Sequence, residues 1–169
     1  MAKLVILRGN SGSGKTTVAN LLQKKFGHNT LVISQDTVRR EMLWVKDGPD
    51  NRAMPLLESL LYYGRERCQV VILEGILHSG WYRPLFELAK EEFGEEIYAY
   101  YYDLPFEETL LRHETREKSR EFGEEAMRRW WLEKDYLDLI PEQILTKEIN
   151  AEEAAERICR EVLNGKERS

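Results

Sequence analysis

Residues 9–16 read GNSGSGKT, a glycine-spaced run ending in a lysine and a threonine. The order satisfies the phosphate-loop pattern G-x-x-x-x-G-K-[ST]. Gly9, Gly12 and Gly14 let the backbone turn tightly, so that the N–H groups of this stretch, through Asn10, Ser11 and Ser13, point at one anion. Lys15 brings a point charge that reaches β- and γ-phosphates, Thr16 brings a hydroxyl suited to Mg²⁺, and Thr17 lies within reach of the α-phosphate. An apolar run ends just before the motif and a helical pattern begins at Lys15, which is the setting such a loop needs.

A second group of reactive side chains follows the next apolar run, in LVISQDTVRR. In a parallel sheet, ligands gather beyond the carboxyl ends of the strands, so Asp36 should emerge near the γ-phosphate. There a carboxylate can orient an attacking hydroxyl and take its proton. Arg39 lies one helical turn on and should face the same side. The same spacing also suits Ser34 or Asp36 as a helix N-cap, with Arg39 as its ion-pair partner. Glu74 ends the apolar run VVIL, where a carboxylate can hold Mg²⁺ or orient water; His78, Trp81, Tyr82 and Arg83 follow it as acceptor-pocket candidates. Arg112, Arg116 and Arg120 recur every four residues and would line one helical face. Interleaved glutamates allow the alternative of a solvated, salt-bridged helix. Trp130, Trp131 and Tyr136 read first as packing residues.

The ISQD segment together with VILEGIL at 71–77 resembles the uridine-kinase group of P-loop kinases. The D-x-x-R arrangement of Asp36 and Arg39 resembles the polynucleotide 5′-hydroxyl kinases and related small P-loop phosphotransferases. Motifs from Gly9 to about Arg120 carry the resemblance. It implies a kinase dependent on ATP and Mg²⁺, with Lys15 at the phosphates and Asp36 as general base. Arg39, with Arg40 beside it, would anchor substrate; Thr16 and Glu74 would serve the metal. Arg112 and Arg116 would act on the transferring phosphate from a lid at about 112–131, with Arg120 also at the nucleotide. After Asp36 the uridine kinases continue with aromatic residues, whereas this chain has Thr37, Val38, Arg39 and Arg40, which suit an acceptor carrying phosphate or another anion. The expected acceptor is therefore a small hydroxyl-bearing molecule, phosphorylated or nucleoside-like. A polynucleotide 5′ end is one alternative. A nucleotide-responsive switch is another, with 44–52 as its candidate loop, but no guanine-specifying N-K-x-D motif accompanies it.

These groups need elements to hold them. Short β-branched runs at Leu4–Leu7, Leu31–Ile33, Val70–Leu73 and Ile97–Tyr102, and a weaker one at Gln143–Leu145, read as strands. Helical patterns cover Lys15–Phe26, Met54–Arg67, Tyr82–Phe93, Phe106–Arg116 and Ala151–Leu163. The last opens on an Asn150/Glu153 capping box. Alternating strands and helices predict a three-layer α/β/α P-loop fold with five parallel strands and a helical lid, all in one domain over 1–169. Segments 44–52 and 118–125 read as loops and the last five residues as a frayed tail. The composition agrees, with 42% hydrophobic and 33% charged residues. A net charge of −5 argues against coating a long nucleic acid, though it leaves room for a local basic site. Two cysteines without motif spacing fit a reducing, cytoplasmic setting, and no apolar run is long enough for a membrane span.

Overall fold

The computed structural model describes residues 1–115 and 122–165. Arg116, Arg120, positions 118–121 of the second expected loop and 166–169 of the tail lie outside the described residues.

Strands β1 (Lys3–Gly9), β2 (Leu31–Ser34), β3 (Val70–Gly75), β4 (Ile97–Tyr102) and β5 (Glu142–Leu145) form one sheet in the order β2-β3-β1-β4-β5. Every neighbouring pair is parallel, with Leu4 opposite Val71 on one side and Ile97 on the other. Helices α1 (Lys15–Phe26), α2 (Met54–Arg67), α3 (Arg83–Phe93), α4 (Phe106–Glu114), α5 (Glu124–Trp130) and α6 (Ala151–Asn164) complete the chain. The architecture is the expected three-layer α/β/α P-loop NTPase fold.

Alternation along β1 divides the core between the two faces of the sheet. Leu4 and Ile6 pack with Leu57 and Leu61 of α2 and Leu85 and Phe86 of α3. Val5 and Leu7 pack with Val18 and Leu22 of α1 and Ile158 and Val162 of α6. Both faces are covered, which is why β1 and β3 read as continuous apolar runs. Gly64 brings α2 close to the sheet, since a Cβ there would sit 2.4 Å from Val71 Cγ2. The Asn150/Glu153 capping box forms in full at the start of α6. Cys68 and Cys159 are free thiols. Among the described residues no helix is long and apolar enough to cross a membrane.

Two local differences from the sequence reading bear on function. The segment after β2 continues as a π-helix, Thr37–Met42, closed by Leu43 N–H donating to the Val38 carbonyl at 3.1 Å. Such i to i+5 turns are uncommon and gather at functional sites. The segment 44–52 is irregular, as expected, but tied to the body. The Tyr82 hydroxyl donates to Asp47 at 2.7 Å and accepts from Asn51 at 3.1 Å.

Candidate active site

The glycine-rich loop joins β1 to α1 and aims the N-terminus of α1 into a cleft of about 560 Å³. Gly12 has φ +84°, and a Cβ there would lie 2.5 Å from the Thr109 carbonyl oxygen of α4. Glycine is therefore required both by backbone conformation and by close approach. Inside the loop the Asn10 carbonyl accepts from Ser13 Oγ at 2.6 Å and from Lys15 Nζ at 2.9 Å. The lysine is thus held against the loop it serves. The Asn10 side chain turns the other way, donating to the Leu132 carbonyl and accepting from its N–H, both at 2.8 Å. This pair of bonds fixes the chain after α5 against the phosphate loop.

Glu74 lies within β3, one residue before its end, and is 2% exposed. Its carboxylate accepts from Thr16 Oγ1 at 3.0 Å and from Ser34 Oγ at 2.9 Å, joining α1, β2 and β3 at one point. One buried carboxylate beside hydroxyl oxygens is a hard-oxygen donor set. It suits Mg²⁺, which keeps waters and phosphate oxygens as its other ligands. Among the described residues no cluster of three or more His, Cys, Asp or Glu side chains offers a full protein cage.

Asp36 lines the same cleft as Thr16, at the start of the π-helix. Its Oδ1 is 3.1 Å from Arg39 Nη2 and 3.2 Å from Arg40 Nε. The i,i+3 pair therefore forms, and a second arginine joins it because the chain continues helically. The Ser34 hydroxyl also accepts from Thr37 N–H at 3.4 Å, so the capping role and the cleft position coexist. Arg39 is held further by the Val45 carbonyl at 3.3 Å and by Asp47 at 3.9 Å. Asp47 is in turn fixed by Tyr82, whose hydroxyl also accepts from Gln35 at 2.7 Å. Burial, and then the facing Asp47 carboxylate, push the Tyr82 hydroxyl well above the ordinary tyrosine range, so it stays a proton donor.

Of the residues expected at a site, Ser11, Gly12, Lys15, Thr16, Asp36, Arg39, Arg40, Glu74 and His78 line this one cleft. Gly9, Asn10, Ser13, Gly14 and Thr17 belong to the loop and the first turn of α1 but do not line it. Arg112 sits beside the loop instead: its Nη1 donates to the Ser13 carbonyl at 2.7 Å and its Nε pairs with Glu108 at 3.0 Å. Trp130 and Phe122 line the cleft, and Arg40 lies over both rings, at 5.4 and 5.8 Å. Trp131 packs edge-on against Phe106 and Tyr136 against Tyr101.

Sequence reasoning passed over Arg8. It is fully buried in β1, pairing with Asp135 at 2.8 Å and Glu142 at 3.0 Å. It also donates to the Leu77 carbonyl at 2.9 and 3.2 Å. Asp135 accepts from Ser79 N–H and Oγ at 2.8 and 2.6 Å, so Arg8 holds the loop that carries His78 and Trp81. The available signal was a lone charge inside a strand otherwise buried on both faces. Gln35, Lys46 and Asp47 also line the cleft, and no motif marks them.

The fold and the loop–helix cleft define a P-loop NTPase. A sequence model described as an AAA domain matches residues 4–134, most of the chain. The chain belongs to that family. A search of curated proteins returns no significant match. Among solved structures, a gluconokinase from Sinorhizobium meliloti 1021 superposes with a TM-score of 0.69 at 16% identity, covering 96% of this chain and 92% of that one. The APS kinase of Mycobacterium tuberculosis, bound to AMPPNP and APS, gives 0.65 at 21% identity, covering 97% and 98%. Shikimate kinase from Acinetobacter baumannii, bound to shikimate, gives 0.60 at 20% identity, covering 99% and 97%. At these identities the likeness establishes the shared fold.

Proposed function

We propose that this protein is an ATP- and Mg²⁺-dependent kinase transferring the γ-phosphoryl group to a hydroxyl of a small molecule. The reading rests on one observation: Lys15, Thr16, Glu74 and Asp36 line one cleft that continues past the phosphate loop. The named enzymes of the same fold are kinases of gluconate, APS and shikimate, which supports a small-molecule acceptor. The D-x-x-R pair and the chain's likeness to the Pnkp1/Rnl/Hen1 RNA repair complex keep a polynucleotide 5′-hydroxyl in the test panel.

In this reading the loop N–H groups and the α1 N-terminus bind the phosphates, and Lys15 swings from the Asn10 carbonyl to the β,γ-oxygens. Thr16 and Glu74 would hold Mg²⁺, which when bound would supply positive charge to the phosphates. Asp36 orients the acceptor hydroxyl and takes its proton as the new O–P bond forms and the bond to the β-phosphate oxygen breaks, releasing ADP. Arg112, with Arg116 and Arg120, acts from the nucleotide side, and residues 112–131 close as a lid over a single kinase domain. Cytoplasmic residence belongs to the same reading.

The test is transfer from γ-labelled ATP across nucleosides, nucleotides, sugars and 5′-hydroxyl oligonucleotides. Asp36→Asn should lower kcat by about 100-fold or more, with ATP affinity within about threefold. Undiminished transfer by a folded Asp36→Asn variant refutes the base assignment.

A further inference from the structure

Resting on the kinase reading, we infer that the acceptor carries an anionic group beside an aromatic ring, and that this anion draws Arg40 away from Asp36, so that the correct acceptor relieves its own base of one guanidinium contact. Three observations converge on it. First, the cleft is lined by Lys15, Arg39, Arg40, Lys46 and Arg129 against Asp36, Asp47 and Glu74. With Lys15 assigned to the nucleotide phosphates and Glu74 to the metal, four positive groups remain against two negative ones in a chain of net charge −5. Lys15 and the loop N–H groups face the nucleotide phosphates, so this excess is directed at a different anion.

Second, the two arginines on Asp36 are held differently. Arg39 is 12% exposed and braced by Asp47 and the Val45 carbonyl. Arg40 is about three times as exposed, at 37%, with its Nε 3.2 Å from Asp36; among the described residues the Nε of either arginine is a buried donor without a hydrogen-bond partner. A guanidinium paired this way gains by turning to a phosphate or carboxylate that offers it two oxygens at once. Third, flat surfaces flank the exchange. Arg40 lies over Trp130 and Phe122, and in the same cleft His78 stacks on Trp81 at 4.2 Å with planes 11° apart. Trp81 remains 37% exposed, which leaves ring surface for a planar partner.

With both arginines in place, two guanidinium donors contact the same Asp36 oxygen, Oδ1, and compete there with an acceptor hydroxyl. Once Arg40 moves to the substrate anion, Asp36 Oδ1 loses one of its two guanidinium contacts, which lowers the competition there for the acceptor hydroxyl. An uncharged acceptor leaves Arg40 where it is and loses in kcat as well as in KM.

The experiment compares adenosine with adenosine 3′-monophosphate, and ribose 5-phosphate as an anion without the ring, using γ-labelled ATP and intact protein. In the wild type kcat should be higher by about tenfold for the monophosphate than for adenosine. Arg40→Ala should invert the pattern, with kcat/KM falling about tenfold for the monophosphate and kcat for adenosine rising about threefold. Equal losses on both acceptors, or a wild-type preference for adenosine, overturn the inference. A short 5′-hydroxyl oligonucleotide separates the two sources of this chemistry, and a gain of about tenfold over the monophosphate would place the anion on a strand rather than on a small molecule. Transfer to no acceptor refutes the kinase reading alone. Calorimetry with a non-hydrolysable ATP analogue then decides the inference. Binding of the monophosphate about tenfold tighter than adenosine or ribose 5-phosphate, lost in Arg40→Ala, supports it, and indifference to charge or ring sinks it. A thermal melt of Arg40→Ala matching the wild type shows that the change is local.

Discussion

Replacing Arg8 by methionine removes a charge that two carboxylates and two backbone carbonyls, those of Leu77 and Asp135, share inside the protein. Arg8 is fully buried, Glu142 is 3% exposed and Asp135 is 17% exposed, so solvent replaces little of the lost pairing. Burial already lifts the Glu142 carboxyl above its ordinary range, against the opposing pull of Arg8. Breaking a buried pair from one side costs about 3–5 kcal/mol. For a chain of 169 residues that is a fall in Tm of roughly 8–14 °C. Urea unfolding read by circular dichroism gives the free energy directly. The pH dependence is a separate check. With Arg8 gone the folded-state pKa of Glu142 rises further above its unfolded value. Its favourable contribution is then full below the unfolded pKa and lost as pH climbs through the folded one. Arg8→Met should therefore be more stable near pH 5 than near pH 8, by more than the wild type is. Adding Glu142→Gln should recover part of the loss and flatten that slope. A loss under about 1 kcal/mol, or a slope of the opposite sign, would refute the claim that Arg8 neutralises a buried acidic pair.

Gly12→Ala should weaken ATP binding by about tenfold or more in calorimetry, because the new Cβ meets the Thr109 carbonyl and the backbone is strained at positive φ. Glu74→Gln should lower Mg²⁺-dependent turnover by about 10–100-fold while binding of ATP without metal is kept, since the amide preserves shape but not charge. Metal titration of the rate is the measurement, and unchanged metal dependence would count against Glu74 as a metal residue. Asn10→Ala strips Leu132 of both its partners, at a cost of about 1–3 kcal/mol in urea unfolding. It should also loosen the chain after α5, seen as faster amide exchange at Leu132.

What could be read in the chain itself was whatever rests on local order. GNSGSGKT needs only its own glycines, lysine and threonine, in sequence, to specify a loop that cradles phosphate. The strands announced themselves because β1 and β3 are buried on both faces, and the Asn150/Glu153 cap because its two bonds lie within one turn. The Asp36–Arg39 pair, one helical turn apart, was legible for the same reason.

Contacts between distant segments left no such trace. Glu74 meets Thr16 across 58 positions and Arg8 meets Asp135 across 127, and neither spacing has a pattern, because the sheet order β2-β3-β1-β4-β5 alone brings them together. That Arg40 pairs with Asp36 while lying over Trp130 depends on a π-helical turn and on the chain after α4 folding back over it. The sequence by itself determined that the chain carries a phosphate-loop motif and where it lies. Only the tertiary structure decided what surrounds that loop. Local hydrogen bonding is written in neighbouring residues, whereas charge balance in a cleft is the sum over elements that meet only after folding.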